Sequence, residues 1–370
     1  MLHKLKKRKK EWIFIAASVC VLVACILYCD NGKMKGEEMH SENETTESVT
    51  TGEKDTAGEN ATTDRENSTT GTQEEATTGQ PTTIPQVNVI FDVETKTAQE
   101  ISDAVQKITF VNEDYMPPAD VKYPYYIKVN VALNCVTVYG MDEYGQYSIP
   151  VRAMVCSTAR EGKVTPVGQF TTSDMYEWRL MVDSTYSQYA IRINGKIMFH
   201  AVPCYSQSKD DIETVEFNKL GDPASLGCIR LCVADAKWIY DNCPQGTGVE
   251  VYENSTNSGP LGKPVMVKIP EDSPYANWDP TDPDPENPWH TQRPQIKGTN
   301  VMNVKDGDVI TEADLLAGVT ATDTMGNDIT EYVGITDIHQ LGTRPMWQIT
   351  YYVTDSLGKS FFTYRMVRCE

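Results

Sequence analysis

The chain is short of positive charge. Its 370 residues carry 33 Lys and Arg against 52 Asp and Glu, a net of −19. A nucleic-acid binder needs a basic face for phosphates, so nucleic acid is excluded as a partner. Histidine is scarce as well. There are five, and only His200 falls in the central part of the chain. A regular cysteine framework is missing. Of ten cysteines, Cys20, Cys25 and Cys29 share one apolar run; Cys135, Cys156, Cys204, Cys228, Cys232, Cys243 and Cys369 are scattered beyond it. Seven is odd and the spacing irregular, which argues against a disulfide scaffold and leaves at least one thiol free or paired with another chain.

What is present begins with that apolar run. Six basic residues within 4–10 precede Trp12–Cys29, eighteen residues without charge. As a helix this stretch is roughly 27 Å long, close to the ~30 Å hydrocarbon core of a bilayer. Basic residues on its N-terminal side place that end in the cytoplasm and everything after Asp30 outside. An uncleaved transmembrane anchor is the reading adopted. A cleaved signal peptide would need a small-x-small cleavage site, and none follows. Leu22-Val23-Ala24-Cys25 resembles a lipobox, with a lipid anchor on Cys25 as its consequence, but Ile26-Leu27-Tyr28 continue the apolar run past it.

Composition divides the rest. Residues 1–11 form a basic cytoplasmic tail and 12–29 the anchor. Residues 30–86 are rich in Ser, Thr and Glu, with thirteen acidic and four basic side chains. Such a stretch buries too little apolar surface to offset its chain entropy, so a disordered, extended stalk is expected. Residues 87–122 receive no assignment beyond a short helix opening at Ala98. From 123 to 270 the pattern is β-rich. Ile127, Val129 and Val131 alternate with polar residues, and Val136–Tyr139 and Ile149–Ser157 follow. Asn194-Gly195 joins two apolar runs and predicts a hairpin. One notable helix is expected over about 233–243, stopped near Pro244, before a last strand at Val249–Tyr252. Residues 271–298 repeat Asp and Pro and read as a stiff linker. Residues 299–370 alternate turn clusters with short apolar runs, as a small β-sandwich would.

Two residues of the 123–270 domain carry candidate chemistry. His200 closes the run Lys196–Phe199, at a strand end where scaffolds present groups to a site. Cys228 lies in Ser225-Leu226-Gly227-Cys228-Ile229-Arg230-Leu231, just ahead of the expected helix. Gly227 permits close backbone approach, and free N–H groups at a helix start would stabilise a thiolate or an oxyanion. A thiolate accepts acyl groups and an imidazole removes its proton.

These segments together resemble the L,D-transpeptidase catalytic domain (YkuD-like). The resemblance rests on Phe199-His200-Ala201, the 225–231 loop, Thr165-Pro166-Val167-Gly168-Gln169-Phe170, Asp235–Tyr240 and Gly246-Thr247-Gly248-Val249, and covers about 124–253. It implies a mainly β sandwich or barrel and a bacterial cell-wall enzyme that uses no cofactor or metal. It also implies that Cys228 is the nucleophile on a peptidoglycan tetrapeptide stem and releases D-Ala. His200 is then general base and acid, oriented by the Ala201 carbonyl. Gly227 and Cys228 supply oxyanion-hole N–H groups, and Ser225 and Arg230 contact substrate, Arg230 alternatively holding the loop. Transfer to a second stem amine gives a 3→3 cross-link. Partners are stem peptides, the cell wall, and the membrane through the N-terminal helix. The chain departs from the pattern in two places. Leu226 stands where the family usually has His, and twenty-four residues separate His200 from Ser225. The extra segment around Ser206–Leu220 is a lid, a groove wall or a plain surface insertion. Val319–Asp323 and Tyr351–Gly358 resemble bacterial Ig-like surface modules.

Other readings use the same residues. Water in place of the amine makes the site an L,D-carboxypeptidase. A catalytically decayed wall-binding protein is motivated by Leu226. His200-x3-Cys204 with Cys228-x3-Cys232 would supply four zinc ligands. A sortase is disfavoured because its Thr-Leu-x-Thr-Cys element is absent.

Overall fold

A computed structural model describes residues 87–370. The basic tail, the Trp12–Cys29 anchor and the stalk lie outside the described residues. Among the described residues no helix is long and apolar enough to cross a membrane.

In chain order the elements up to residue 252 are β1 (Ile90–Asp92), α1 (Ala98–Ala104), β2 (Thr109–Val111), β3 (Tyr125–Asn130), β4 (Cys135–Met141), β5 (Tyr147–Val155), β6 (Gly168–Thr171), β7 (Met175–Leu180), β8 (Tyr186–Asn194), β9 (Ile197–Ala201), α2 (Thr214–Phe217), β10 (Ile229–Leu231), α3 (Val233–Asn242) and β11 (Gly248–Tyr252). They build two sheets, ordered β2-β5-β4-β3-β11-β6 and β10-β9-β8-β7. Alternation decides which side chains meet between them. Ile127, Val129, Val138, Val249 and Val251 of the first sheet share a core with Ile191, Phe199, Ile229 and Leu231 of the second. The helix α3 adds Val233, Ala236 and Ile239, three residues apart on one face. Each fully buried aliphatic side chain here stabilises the fold by about 1.5–3 kcal/mol. The expected hairpin forms: β8 and β9 pair antiparallel, and Gly195 takes the positive φ of +50° that the turn requires.

Placing Phe199, Ala201, Ile229 and Leu231 in the core has a consequence for their neighbours. Strands β9 and β10 run parallel with Arg230 opposite His200. Side chains alternate across a strand, so Met198 and His200 share the outer face of the sheet with Cys228 and Arg230.

The C-terminal part continues with β12 (Gln295–Lys297), β13 (Met302–Val304), β14 (Val309–Thr311), α4 (Glu312–Leu316), β15 (Thr320–Thr322), β16 (Gly334–Gln340), β17 (Met346–Thr354) and β18 (Ser360–Cys369). Its main sheet is ordered β13-β18-β17-β16, with β1-β14 and β12-β15 as two-stranded pairs. Residues 87–122, left unassigned by sequence, are split between the two parts. Strand β1 pairs parallel with β14, Phe91 packs edge-on against Trp347 at 5.5 Å, and β2 adds to the edge of β5. The short helix α1 begins at Ala98 behind a Thr97–Glu100 capping box.

Residues 271–298 are not a free spacer. Four side chains of the repeat fold the chain back on itself. Asp279 accepts from the Thr281 N–H, Asp282 from Asp284, Asp284 from Glu286 and Asn287 from Trp289. These are Asx turns, in which the side chain mimics a backbone turn. Trp289 is buried with Ile212, Phe217, Leu220 and Cys232. Asp279 Oδ2 accepts the Val233 N–H at 2.8 Å and Thr281 Oγ1 accepts that of Ala234 at 3.1 Å. The segment read as a linker thus caps α3.

Candidate active site

The reactive loop is fastened at several points. The Ala224 and Ser225 N–H groups both donate to the Thr158 carbonyl at 2.9 Å, and the Arg160 N–H donates to Ser225 O. Thr165, from the quoted Thr-Pro-x-Gly element, donates through Oγ1 to the Gly227 carbonyl at 2.8 Å. Ser225 Oγ donates to Cys228 O at 2.6 Å and accepts the Gly227 N–H at 3.0 Å. Gly227 sits at φ +138°. A Cβ there would meet Ile197 Cδ1 at 2.8 Å and the Val164 carbonyl oxygen at 2.9 Å. Backbone conformation and space both demand glycine. Gly227→Ala is therefore expected to displace the loop and cut acyl-transfer activity by about 10²-fold, the effect of misplacing reacting groups by ~1 Å. Steady-state turnover beside a melting curve checks it.

His200 is buried, 1% exposed, with Nδ1 at 2.7 Å from the Ala201 carbonyl oxygen. A carbonyl only accepts, so Nδ1 carries the proton in this bond and Nε2 keeps its lone pair. Burial pushes the imidazole down to about 4, with Arg230 lowering it further while the Ala201 bond and Asp183 oppose. Cys228 is half-buried, and its Sγ lies 3.5 Å from the Lys196 carbonyl. Burial pushes its thiol up; the Met198 N–H, Arg230 and Arg192 pull it down. Cys228 and His200 line one pocket together with Asp183, Pro203, Ser225, Leu226 and Arg230. At neutral pH the pocket therefore holds a thiol and a neutral imidazole.

Several residues serve differently from the sequence-based expectation. The helix start does not face Cys228: β10 intervenes, and the N–H groups of Val233 and Ala234 are taken by Asp279 and Thr281. The Gly227 N–H is committed to Ser225 Oγ, so it is not free as an oxyanion donor; among the described residues the Cys228 N–H has no acceptor. Ser225 is 1% exposed and spends its hydroxyl inside the loop rather than on substrate. Arg230, also buried, is ion-paired with Glu216.

Glu216 belongs to the segment inserted between His200 and Ser225, and sequence reasoning missed its role. That segment is a packed wall. Ile212, Phe217 and Leu220 are buried, Thr214 Oγ1 donates to Ala276 O, and Lys209 pairs with Asp284 at 2.6 Å. Leu226 is 39% exposed and Val182 76%, forming an apolar rim to the pocket. The four zinc-reading residues do not converge. Cys204 and Cys232 belong to the core around Phe217 and Trp289, away from the His200 pocket. Among the described residues no three His, Cys, Asp or Glu side chains group as a metal site.

A buried imidazole and a thiol thus share one face of a mixed four-stranded sheet and line one pocket, beside a glycine-kinked loop. Residues 124–251 match the family model of the L,D-transpeptidase catalytic domain, YkuD. The chain is 31% identical over 166 residues to YciB of Bacillus subtilis (strain 168), a protein provisionally named an L,D-transpeptidase; the match covers 42% of this chain and 82% of that one. The chain belongs to the L,D-transpeptidase family, whose members are peptidoglycan-modifying transferases. Among solved structures it is similar to an L,D-transpeptidase from Mycobacterium smegmatis, with 18% identity, 35% of this chain, 58% of that one and a TM-score of 0.29. L,D-transpeptidase 3 from Mycobacterium tuberculosis gives 21%, 35%, 61% and 0.28. The chain thus spans about three fifths of the length of these structures.

Proposed function

We propose that the chain is an L,D-transpeptidase that makes 3→3 cross-links by way of a Cys228 thioester. The observation that carries the reading is the Nδ1–Ala201 bond of a buried His200, which leaves Nε2 unprotonated on the face that also bears Cys228. In the first step the Cys228 proton passes to His200 Nε2 while Sγ bonds to the carbonyl carbon of the third stem residue. The C–N bond to D-Ala then breaks, and the imidazolium returns its proton to the leaving amine. In the second step a stem amine attacks the thioester and loses a proton to His200, the C–S bond breaks, and the imidazolium returns that proton to the departing Cys228 sulfur. In this reading the Cys228 N–H stabilises the oxyanion of both steps.

The same proposal places the enzyme outside a bacterial membrane, anchored by residues 12–29 and carried to the wall by residues 30–86. Residues 299–370 then serve as an Ig-like surface module. The test incubates the protein with disaccharide-tetrapeptides and follows products by mass spectrometry. A dimer joined 3→3 with loss of D-Ala is expected. Tripeptide without dimer would make it a carboxypeptidase, and neither product would overturn the enzymatic reading.

A further inference from the structure

A second cleft adjoins the Cys228 pocket on the outer face of the β7–β9 sheet. Arg179, Arg192 and Lys196 line it together with Leu180, Val182 and Met198. Three cations around one cleft are not an average property of a chain with net charge −19. The two arginines are fixed. Arg192 Nε bonds Asp174 Oδ2 at 2.9 Å and its Nη1 donates to the Gly195 carbonyl, while the Arg179 guanidinium lies 4.7 Å over the Tyr176 ring. Lys196 is exposed and has no acidic partner within ion-pair distance among the described residues. Asp174 offsets one charge, which leaves the cleft a net cation.

Its position relative to the nucleophile is given by one contact: the carbonyl of Lys196 itself lies 3.5 Å from Cys228 Sγ. Met181 and Val182, at the tip of the β7–β8 hairpin, line both clefts and divide them. The charge on the two sides is opposite. Across that divide lies Asp183, with Glu213 and Glu216 behind it around Arg230.

We propose that the Arg179–Arg192–Lys196 cleft is the subsite for the terminal carboxylate of the donor peptide. The proposal rests on the reading of Cys228 as the acylated residue and deepens it by naming what the donor must carry. In a tetrapeptide donor the free carboxylate is one residue beyond the attacked carbonyl, ~3.5 Å along the chain. A carboxylate one residue beyond the thiol has the neighbouring cationic cleft next to it, across Met181 and Val182. The guanidinium and ammonium groups recognise the carboxylate as charge and as hydrogen-bond acceptor. The acidic side of the divide is left for a positively charged acceptor amine.

The experiment measures binding rather than turnover, on the full chain carrying Cys228→Ala, by calorimetric titration with a disaccharide-tetrapeptide and with its C-terminal carboxamide. The free acid is expected to bind about tenfold tighter than the amide, as a desolvated charge-assisted contact does. Lys196→Glu and Arg179→Glu should each reduce that preference toward unity, with unchanged melting curves, and Lys196→Arg should retain it. Equal affinity for acid and amide in the Cys228→Ala parent overturns the proposal. So does a preference that survives Lys196→Glu and Arg179→Glu combined. Because no thiol takes part, loss of the transpeptidase reading itself is read separately, in the chain with Cys228 intact.

Discussion

Cys228→Ala is expected to abolish D-Ala release and thioester formation, a loss of about 10⁴-fold or more, while leaving the melting temperature nearly unchanged. A covalent nucleophile has no substitute once removed, and what remains is substrate positioning. The fold should tolerate the change because the side chain contributes little to it. Cys228 is half-buried, and its Sγ meets backbone groups, the Lys196 carbonyl at 3.5 Å and the Met198 N–H. The loop is held instead by Ser225, Thr165 and backbone bonds to Thr158. Intact-protein mass spectrometry after exposure to a tetrapeptide donor gives the direct readout. The wild-type chain should gain the mass of an acyl group and the variant should not. An acyl adduct on Cys228→Ala would move the nucleophile elsewhere.

His200→Gln is expected to lower kcat/KM by about 10³-fold, within the range that general-base removal produces. The glutamine amide can still donate toward the Ala201 carbonyl, so the local hydrogen bond is preserved while proton transfer is lost. The pH dependence separates this role from a purely structural one. Burial holds the His200 imidazole down to about 4 in the folded chain, against about 6.5 for a free histidine. Below about 4 the imidazolium cannot accept the Cys228 proton. The acid limb of kcat/KM should therefore fall near pH 4, with a plateau through neutrality; because thiol and imidazole interact, the limb belongs to the pair. An acid limb near 6.5 would count against a buried base.

The same shift bears on stability. The folded pKa is depressed, so the unfolded chain takes up a proton that the folded chain refuses as pH falls from about 6.5 to about 4. The contribution of His200 is complete above that window and is lost through it, by roughly 3 kcal/mol. His200→Gln should flatten this part of the stability profile in denaturant titrations.

Much of the catalytic fold was legible because its signals are local. Alternation in Ile127–Val131 is period two, Asn194-Gly195 is a turn by its own stereochemistry, and the helix of 233–242 is ended by a proline two residues on. That Cys228 and His200 line one pocket was anticipated for a different reason. Each lies in a short motif, and the chain offers no other histidine between 41 and 289.

The departures came from groups whose partners are distant in sequence. Nothing around Ser225 indicates that its hydroxyl turns inward to hold Gly227 and Cys228. Nothing around Arg230 indicates Glu216, which reaches it from the inserted segment. The Asp-Pro repeat was read as a spacer because its composition is that of one. Its Asx turns are local, but the surface on which they dock, α3 and the Trp289 core, exists only in the folded chain.

The sequence by itself determined the strand pattern, the acidic character of the chain and the two motifs that carry His200 and Cys228. These follow from periodicity, charge and motif, which act within a few residues. Only the tertiary structure decided that Gly227 closes its own loop, that the start of α3 is capped by residues 279–281, and that a cationic cleft opens beside the thiol. Parallel pairing of β9 with β10 sets Arg230 opposite His200, across 30 residues of chain. Such long-range registers are fixed by which faces share a buried core, and no local preference specifies them.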